Sequence, residues 1–282
     1  MATFALFLVR PLPGWLMRTI GGFVGRIVHA GFGRARRTAL ANVARVFPEL
    51  SHDQHVSLVR LSFRTLGECL GDSVALLHQQ RGVALLGLSP MARELFTKAR
   101  LSGRSVIFAS AHLGPWERVA ASLVAAGVPL CTIARESYDP RFTRLYERLR
   151  GRHGVGVIWR ERPGAATRIV RTLRTGGVLG VPMDLRSRVA SLDCDFLGHP
   201  APTAVGPARL ALRTGACVIV GSVAPTSSGR LEVTATEIET VDITRDDWGV
   251  HTLTERINAE LSSRILAIPH AWVWMHERWP DR

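Results

Sequence analysis

The chain of 282 residues is 46% hydrophobic and carries a formal net charge of +13, with an isoelectric point near 11.2. This length and hydrophobic fraction are enough for one sizeable core, and no low-complexity linker divides the sequence. The charge indicates anionic partners, but we do not expect nucleic acid, because no helix-turn-helix, zinc or aromatic RNA-binding signature accompanies it. Lys98 is the only lysine, so arginine supplies the other 35 of the 36 basic residues. Arginine suits bidentate phosphate binding, although a GC-rich genome would give the same ratio.

The N-terminal third is predicted to be helical. Apolar residues recur at helical spacing over the segments 15–31, 36–46, 52–78 and 90–101. No run reaches the roughly 18 apolar residues that a membrane-spanning helix needs, because Arg10 ends the first apolar run and Arg18 and Arg26 interrupt the second. An arginine-bearing apolar helix either lies in the headgroup plane of a membrane or packs on the folded domain. We expect residues 1–37 to form an amphipathic, membrane-associating segment and residues 38–282 to form the main domain.

Downstream of these helices, apolar strands alternate with further helices. Strands are predicted over 105–111, 129–134, 155–158, 177–182, 216–222 and 230–235. Helices are predicted over 116–126, 140–152, 163–175, 204–214 and 250–266, with a polar, glycine-containing loop before 204. This alternation is typical of an α/β fold with a mostly parallel sheet flanked by helices. Ligands bind such sheets at the carboxyl ends of the strands.

A histidine follows the first predicted strand of this region. His112 comes after a β-prone apolar run, and Gly114 and Pro115 break that run before the next helix. An imidazole can accept a proton from an attacking hydroxyl near neutral pH, and a nearby carboxylate can hold its other nitrogen in the right tautomer. Glu117 is the carboxylate that we predict for this role. The alternative is that His112 only ends a strand and Glu117 only favours the positive end of a helix.

Cysteines and other histidines show no metal-binding or redox spacing. Cys69, Cys131, Cys194 and Cys217 lie mostly within apolar runs, which is typical of core residues in a reducing compartment. The ten histidines are scattered, so we expect no metal. The N-terminus has no convincing cleavage site for secretion.

Five segments carry a likeness to a known family. They are Asn42-Val-Ala-Arg-Val-Phe-Pro-Glu49, His112-Leu-Gly-Pro-Trp-Glu117, Pro182-Met-Asp184, Phe196-Leu-Gly198 with Thr203, and Trp272-Val-Trp-Met-His-Glu-Arg-Trp279. In this order, over nearly the whole chain, they resemble the bacterial late acyltransferases of lipid A biosynthesis. This lauroyl/myristoyl transferase family includes the phosphatidylinositol mannoside acyltransferases. The resemblance implies a glycerolipid-acyltransferase-like fold with a helical N-terminal extension, so that residues 38–282 are an acyltransferase domain.

The resemblance also implies a reaction. A fatty acyl chain would move from the thioester of an acyl carrier protein or coenzyme A to a hydroxyl of an anionic membrane glycolipid. The acceptor would be a lipid A precursor, with phosphatidylinositol mannoside or another glycolipid as the alternative acceptor. The alternative to an enzyme is a protein of this fold that binds lipid without catalysis. His112 and Glu117 would be the general-base pair. No acyl-enzyme is expected, since there is no G-x-S-x-G elbow. The thioester is a co-substrate, no further cofactor is expected, and the protein would work at the cytoplasmic face of the bacterial inner membrane, peripherally or monotopically.

Three further residues are predicted to bind substrate. Arg135 sits where the family has an arginine after a strand, which suggests a phosphate or oxyanion contact, unless it is a solvated loop residue. Arg160 is a candidate for the acceptor's phosphate. Asp184 would orient an arginine or the acceptor, or else cap a helix. Backbone N–H groups beside Gly114 and Trp116 are expected to stabilise the oxyanion.

Two groups of residues near the end of the chain have less direct roles. The first is expected to shape a loop over the acyl or acceptor site, and consists of Phe196, Gly198 and Thr203. The second is expected to pack a core, and consists of Trp272, Trp274 and Trp279.

Overall fold

The computed structural model describes residues 12–78, 85–186 and 189–279. The helices are α1 (Gly14–Gly31), α2 (Gly33–Val46), α3 (His52–His78), α4 (Pro90–Leu101), α5 (Trp116–Ala125), α6 (Pro140–Arg152), α7 (Ala165–Arg174), α8 (Gly206–Thr214) and α9 (Asp247–Ala267), followed by a 3₁₀ turn at Pro269–Ala271. The strands are β1 (Gly87–Leu88), β2 (Val106–Ser110), β3 (Leu130–Ala134), β4 (Gly156–Trp159), β5 (Val178–Pro182), β6 (Ser191–Phe196), β7 (His199–Ala204), β8 (Cys217–Pro225) and β9 (Leu231–Ile238).

One sheet organises the described residues. Seven strands pair in the order β1-β9-β8-β2-β5-β3-β4. The run from β8 to β4 is parallel throughout, β9 is antiparallel to β8, and the short β1 is parallel to β9. The predicted α/β fold with a mostly parallel sheet and a helical N-terminal region is therefore confirmed.

Strand β2 lies at the centre of this sheet and is covered on both faces. Ile107 and Ala109 belong to one apolar cluster, which also takes in side chains of α8 and α9. Val106 and Phe108 belong to the other, together with side chains of α4 and α5. The near-continuous apolar sequence of β2 follows from this double burial, because neither face meets water.

Helix α1 packs on α3 through glycines. A methyl group at Gly67 would lie 2.1 Å from the carbonyl oxygen of Gly21, and one at Gly25 would lie 2.2 Å from the carbonyl oxygen of Phe63. The two backbones approach this closely only because these positions have no side chain. One face of α1 is thus packed on the fold, as one of the two sequence-based readings holds.

An ion-pair cluster joins the same helices to α5. Arg18 on α1 donates to Asp72 at 2.7 Å and to Glu68 at 2.9 Å, both on α3. Arg118 on α5 donates to the same Asp72 oxygen at 3.2 Å. The N-terminal helix is therefore linked through one buried carboxylate to the helix that follows His112.

The prediction of a loop before residue 204 is wrong. Strands β6 and β7 form an antiparallel hairpin there, and Phe196 and Thr203 lie inside the core rather than over a site. Thr203 accepts hydrogen bonds from Asn258 and Arg278.

Within the described ranges, no helix is both long enough and apolar enough to cross a membrane.

Candidate active site

The carboxyl ends of four parallel strands bring four of the five predicted site residues to one edge of the sheet. His112 follows β2, Asp184 follows β5, Arg135 follows β3 and Arg160 follows β4. Neighbouring strands lie about 4.8 Å apart. Because β5 separates β2 from β3 and β4 is one strand further, Arg135 and Arg160 begin about 10 and 14 Å along the edge from β2.

His112 and Asp184 meet because of strand register. Ser110 of β2 pairs with Pro182 of β5, and each polar residue stands two positions beyond its member of that pair. The Nδ1 atom of His112 lies 3.0 Å from Oδ1 of Asp184, and the backbone N–H of His112 donates to Oδ2 at 2.8 Å. The carboxylate is fully buried, whereas 28% of the imidazole surface is exposed. No described residue makes a hydrogen bond to Nε2 of His112.

The turn after His112 requires a glycine. Gly114 adopts a φ of +63°, and a Cβ there would lie 2.7 Å from a methyl group of Val223. Its positive φ and lack of a side chain let the chain turn sharply between β2 and α5. The ring of Trp116 then lies edge-on to His112, with centroids 5.2 Å apart. This turn holds the imidazole at the end of the strand.

Within the described residues, Glu117 forms no hydrogen bond to His112, so the predicted pairing is not a direct contact and its catalytic role stays a prediction. Both carboxylate oxygens of Glu117 accept hydrogen bonds from Arg150, at 2.6 and 3.0 Å. Arg150 also donates to Thr132 at 3.2 Å. The ion pair is almost completely buried and joins α5 to α6 and β3. Glu117 reaches Arg150 because it lies on α5, beyond the turn. The carboxylate that bonds to His112 is that of Asp184, which follows the neighbouring strand β5.

Electrostatics favour a charged, hydrogen-bonded pair. Burial lowers the pKa of His112, but the charge of Asp184 and the hydrogen bond to it outweigh burial, and the pKa is raised from its ordinary value of 6.5. The charge of Glu117 adds to this rise and that of Arg150 opposes it. For Asp184, burial raises the pKa, but His112 and hydrogen bonds from His112 and Trp272 lower it below 3.8. The carboxylate therefore stays ionised through the range in which His112 titrates.

Two expected oxyanion donors are already used. The backbone N–H of Gly114 donates to the carbonyl oxygen of Ala271 at 2.9 Å, and that of Trp116 donates to the carbonyl of Gly114 at 3.0 Å. These groups satisfy the loop itself. In this conformation these two N–H groups are therefore not available to an oxyanion, contrary to the expectation.

The tryptophans near the C-terminus pack, as predicted, and one of them does more. Trp272 lies against Phe196 and Trp274, with centroids 5.7 and 4.7 Å away. Its indole N–H donates to Oδ2 of Asp184 at 2.8 Å. Sequence reasoning missed this bond, because the two residues are 88 positions apart and an apolar setting usually signals packing alone.

The two arginines predicted to bind phosphate have different surroundings. Arg135 is exposed, and its guanidinium lies 4.4 Å from the centroid of the Tyr138 ring. Arg160 is partly buried and donates to Glu161 at 2.8 Å. Both lie at the correct edge of the sheet, and their roles stay predictions. Arg150, which holds Glu117, was missed, because nothing in its helical sequence distinguishes it from the surrounding arginines.

The thiols are poor nucleophiles. Burial raises the pKa of Cys69 to about 12 and that of Cys194 to about 11, and it also raises the pKa values of Cys131 and Cys217. A thiol of this kind holds little thiolate near neutral pH. In the part of the chain that the structure covers, no group of three His, Cys, Asp or Glu side chains is arranged to bind a metal.

Comparison with known proteins agrees with the resemblance seen in the sequence. A family model described as "Bacterial lipid A biosynthesis acyltransferase" matches residues 1–281. A search of curated proteins finds no match. The match spans nearly the entire chain, from before the N-terminal helices to beyond the tryptophan-rich C-terminus, and thus includes His112 and Asp184.

Proposed function

Because the chain belongs to the bacterial lipid A biosynthesis acyltransferase family, we propose that it transfers a fatty acyl chain from a thioester to a hydroxyl of a membrane glycolipid. The acyl donor would be an acyl carrier protein or coenzyme A, and neither requires a further cofactor. The acceptor we favour is a lipid A precursor, with phosphatidylinositol mannoside or another glycolipid as the alternative. The observation that supports catalysis is the bond between His112 and the buried Asp184 at the open edge of the sheet.

In this mechanism, His112 is the general base. Asp184 holds the imidazole in the tautomer that carries its proton on Nδ1. Nε2 therefore carries the lone pair and accepts the proton of the acceptor hydroxyl. The hydroxyl oxygen attacks the thioester carbonyl, a carbon–oxygen bond forms, and the carbon–sulfur bond breaks. The departing thiolate takes the proton from the imidazolium. Asp184 stabilises the imidazolium between these steps, and the raised pKa of His112 reflects that stabilisation.

No acyl-enzyme is needed. The sequence contains no nucleophilic serine elbow, and burial raises the pKa values of the four thiols. Direct attack of the acceptor hydroxyl on the thioester needs only His112 and Asp184 for the proton transfer.

Glu117 supports the site in this proposal without touching the reacting atoms. It fixes Arg150 between α5, α6 and β3, and its charge also favours the protonated form of His112. Arg135 and Arg160 would bind phosphates of the acceptor or donor further along the edge. Arginine is well suited to that task because its planar fork bonds two phosphate oxygens at once.

The outward face of α1 supports attachment to a membrane. Opposite the glycines that contact α3, the helix and the residue that follows it expose large apolar side chains: Trp15, Ile20, Phe23, Val24, Ile27 and Phe32. Arg26 lies on the same helix, and α2 begins with further arginines. An apolar face beside cations is the composition of a helix that lies in an anionic membrane surface. We place this surface at the cytoplasmic face of the inner membrane, where the predicted substrates meet.

Turnover by the purified protein tests the proposal. Lauroyl or myristoyl thioesters of acyl carrier protein and of coenzyme A would each be offered with a lipid A precursor or with phosphatidylinositol mannoside. We expect thioester consumption and an acceptor heavier by one acyl chain in mass spectra, and a loss of about two orders of magnitude or more in His112→Ala. A protein that only binds lipids would leave every thioester intact with every acceptor.

Co-sedimentation with vesicles tests the membrane surface separately. Phe23→Ser should weaken binding to phosphatidylglycerol vesicles, because a 60% exposed phenyl ring is lost from α1. Met91→Ser removes a 59% exposed apolar side chain from α4 and serves as the matched control. Equal binding by both variants would exclude the α1 face.

A further inference from the structure

The second oxygen of Asp184 has a defined set of donors. Oδ2 accepts the backbone N–H of His112 and the indole N–H of Trp272, both at 2.8 Å. Oδ1 is left to face Nδ1 of His112 at 3.0 Å. Two donors on one oxygen thus fix the rotation of the carboxylate and direct its other oxygen at the imidazole.

Trp272 is itself held rigidly. It is only 1% exposed, and its backbone forms an antiparallel bridge to Leu113, beside the hydrogen bond from Gly114 to Ala271. Asn42 donates to the carbonyl oxygens of Trp274 and His276, both at 2.8 Å, and so fixes the chain that follows. The indole N–H is therefore preorganised with respect to the His112 loop.

Other charged and titratable groups act on the pair only through space. They are Glu117 on α5, Arg150 on α6, and His276 and Arg278 in the C-terminal segment. Among the hydrogen bonds of the described residues, those to Asp184 come from His112 and Trp272 alone. A buried carboxylate is costly unless donors satisfy it, and a hydrogen bond to the ionised form keeps it ionised. Of the residues that the structure describes, Trp272 is thus the one donor to Asp184 from outside the His112 loop.

We propose that Trp272 is a positioning residue for acyl transfer, whose indole N–H keeps Asp184 ionised and directs its other oxygen, Oδ1, at His112. The inference rests on the proposed function, since it assigns Trp272 to the same histidine–aspartate pair. It gives the tryptophan at the start of the C-terminal motif a role in turnover besides packing.

The test removes the N–H group and keeps an aromatic ring. In Trp272→Phe we expect kcat to fall roughly 10- to 100-fold at unchanged KM, the range for loss of a hydrogen bond to a charged group. The pKa of the Asp184 carboxyl, followed by carbon-13 NMR and assigned with Asp184→Asn, should rise. Trp274→Phe is the matched control, because its indole N–H donates to the carbonyl of Pro269 at 2.7 Å, away from Asp184. It should change neither quantity.

Should Trp272→Phe fail to fold, 3-benzothienylalanine would be incorporated at position 272 instead. This residue keeps the shape of the indole and lacks only the N–H. Wild-type kcat, an unchanged Asp184 pKa, or equal losses in both tryptophan variants would overturn the proposal. If the wild-type protein consumes no thioester, the proposed function fails, and the carboxyl titration alone then decides. A raised pKa supports the positioning of Asp184 by Trp272, and an unchanged one refutes it.

Discussion

Replacing Asp184 by asparagine tests the histidine–aspartate pair most directly. The amide has nearly the same shape, but it must place an NH₂ group where one carboxylate oxygen stood. At the Oδ2 position, NH₂ would face two donors, the backbone N–H of His112 and the indole of Trp272. At the Oδ1 position, it would face one atom, Nδ1 of His112. The second arrangement has fewer conflicts, and it forces the tautomer that carries its proton on Nε2.

This tautomer cannot accept a proton from the acceptor hydroxyl. We therefore expect Asp184→Asn to lower kcat by about 10²- to 10⁴-fold, the usual contribution of a general base, which corresponds to about 3–5 kcal/mol of barrier. Loss of an opposite charge 3.0 Å away should also lower the pKa of His112, because the charge of Asp184 and the hydrogen bond to it are what raise that pKa.

Two pH titrations check these magnitudes. The kcat/KM of the wild-type protein should rise with pH through the raised pKa of His112, above 6.5, and the residual activity of Asp184→Asn should rise at lower pH.

The stability of the wild-type protein should depend on pH as well. The stabilisation that comes from the raised pKa of His112 is complete below the pKa of the unfolded state and is lost as pH rises through the pKa of the folded state. Stabilisation by the lowered Asp184 pKa is present above its unfolded value and is lost as pH falls through the folded one. The variant should lack both dependences in thermal unfolding, and near-normal turnover or an unchanged His112 pKa would refute the pairing.

Three further predictions test other parts of the structure. Glu117→Gln should lower the free energy of unfolding by roughly 3–5 kcal/mol, because it leaves the Arg150 guanidinium buried without its counter-charge; a hundredfold loss of kcat at full stability would instead restore Glu117 as the partner of the histidine. Gly25→Ala should cost about 1–3 kcal/mol or more in thermal unfolding by separating α1 from α3, while Gly31→Ala, which meets nothing within 4 Å, should be close to neutral. Arg135→Lys should raise KM at constant kcat if the guanidinium binds a phosphate; a fall in kcat at constant KM would show that it meets the oxyanion.

The helices and strands were largely predictable because their signals are local. Apolar spacing placed α3 at its observed bounds, 52–78, and placed the strand before His112 within a residue at each end. The β6–β7 hairpin was missed because its strands contain two prolines and alternating acidic residues, which favour a loop. The two-residue strand β1 is too short for any periodic signal.

The sequence by itself determined that His112 ends a buried strand of an α/β sheet, because an apolar run followed by Gly114 specifies a strand and a turn without reference to the rest of the chain. It could not determine the partner of that histidine. Proximity along the chain favoured Glu117, whereas Asp184 lies 72 positions away and Trp272 lies 88 positions beyond that. Only the tertiary structure decided the matter, because β2 pairs with β5 rather than with β3, the next strand along the chain. Strand order depends on how all the helices and strands pack together, and the register between β2 and β5 then sets which carboxylate reaches the imidazole.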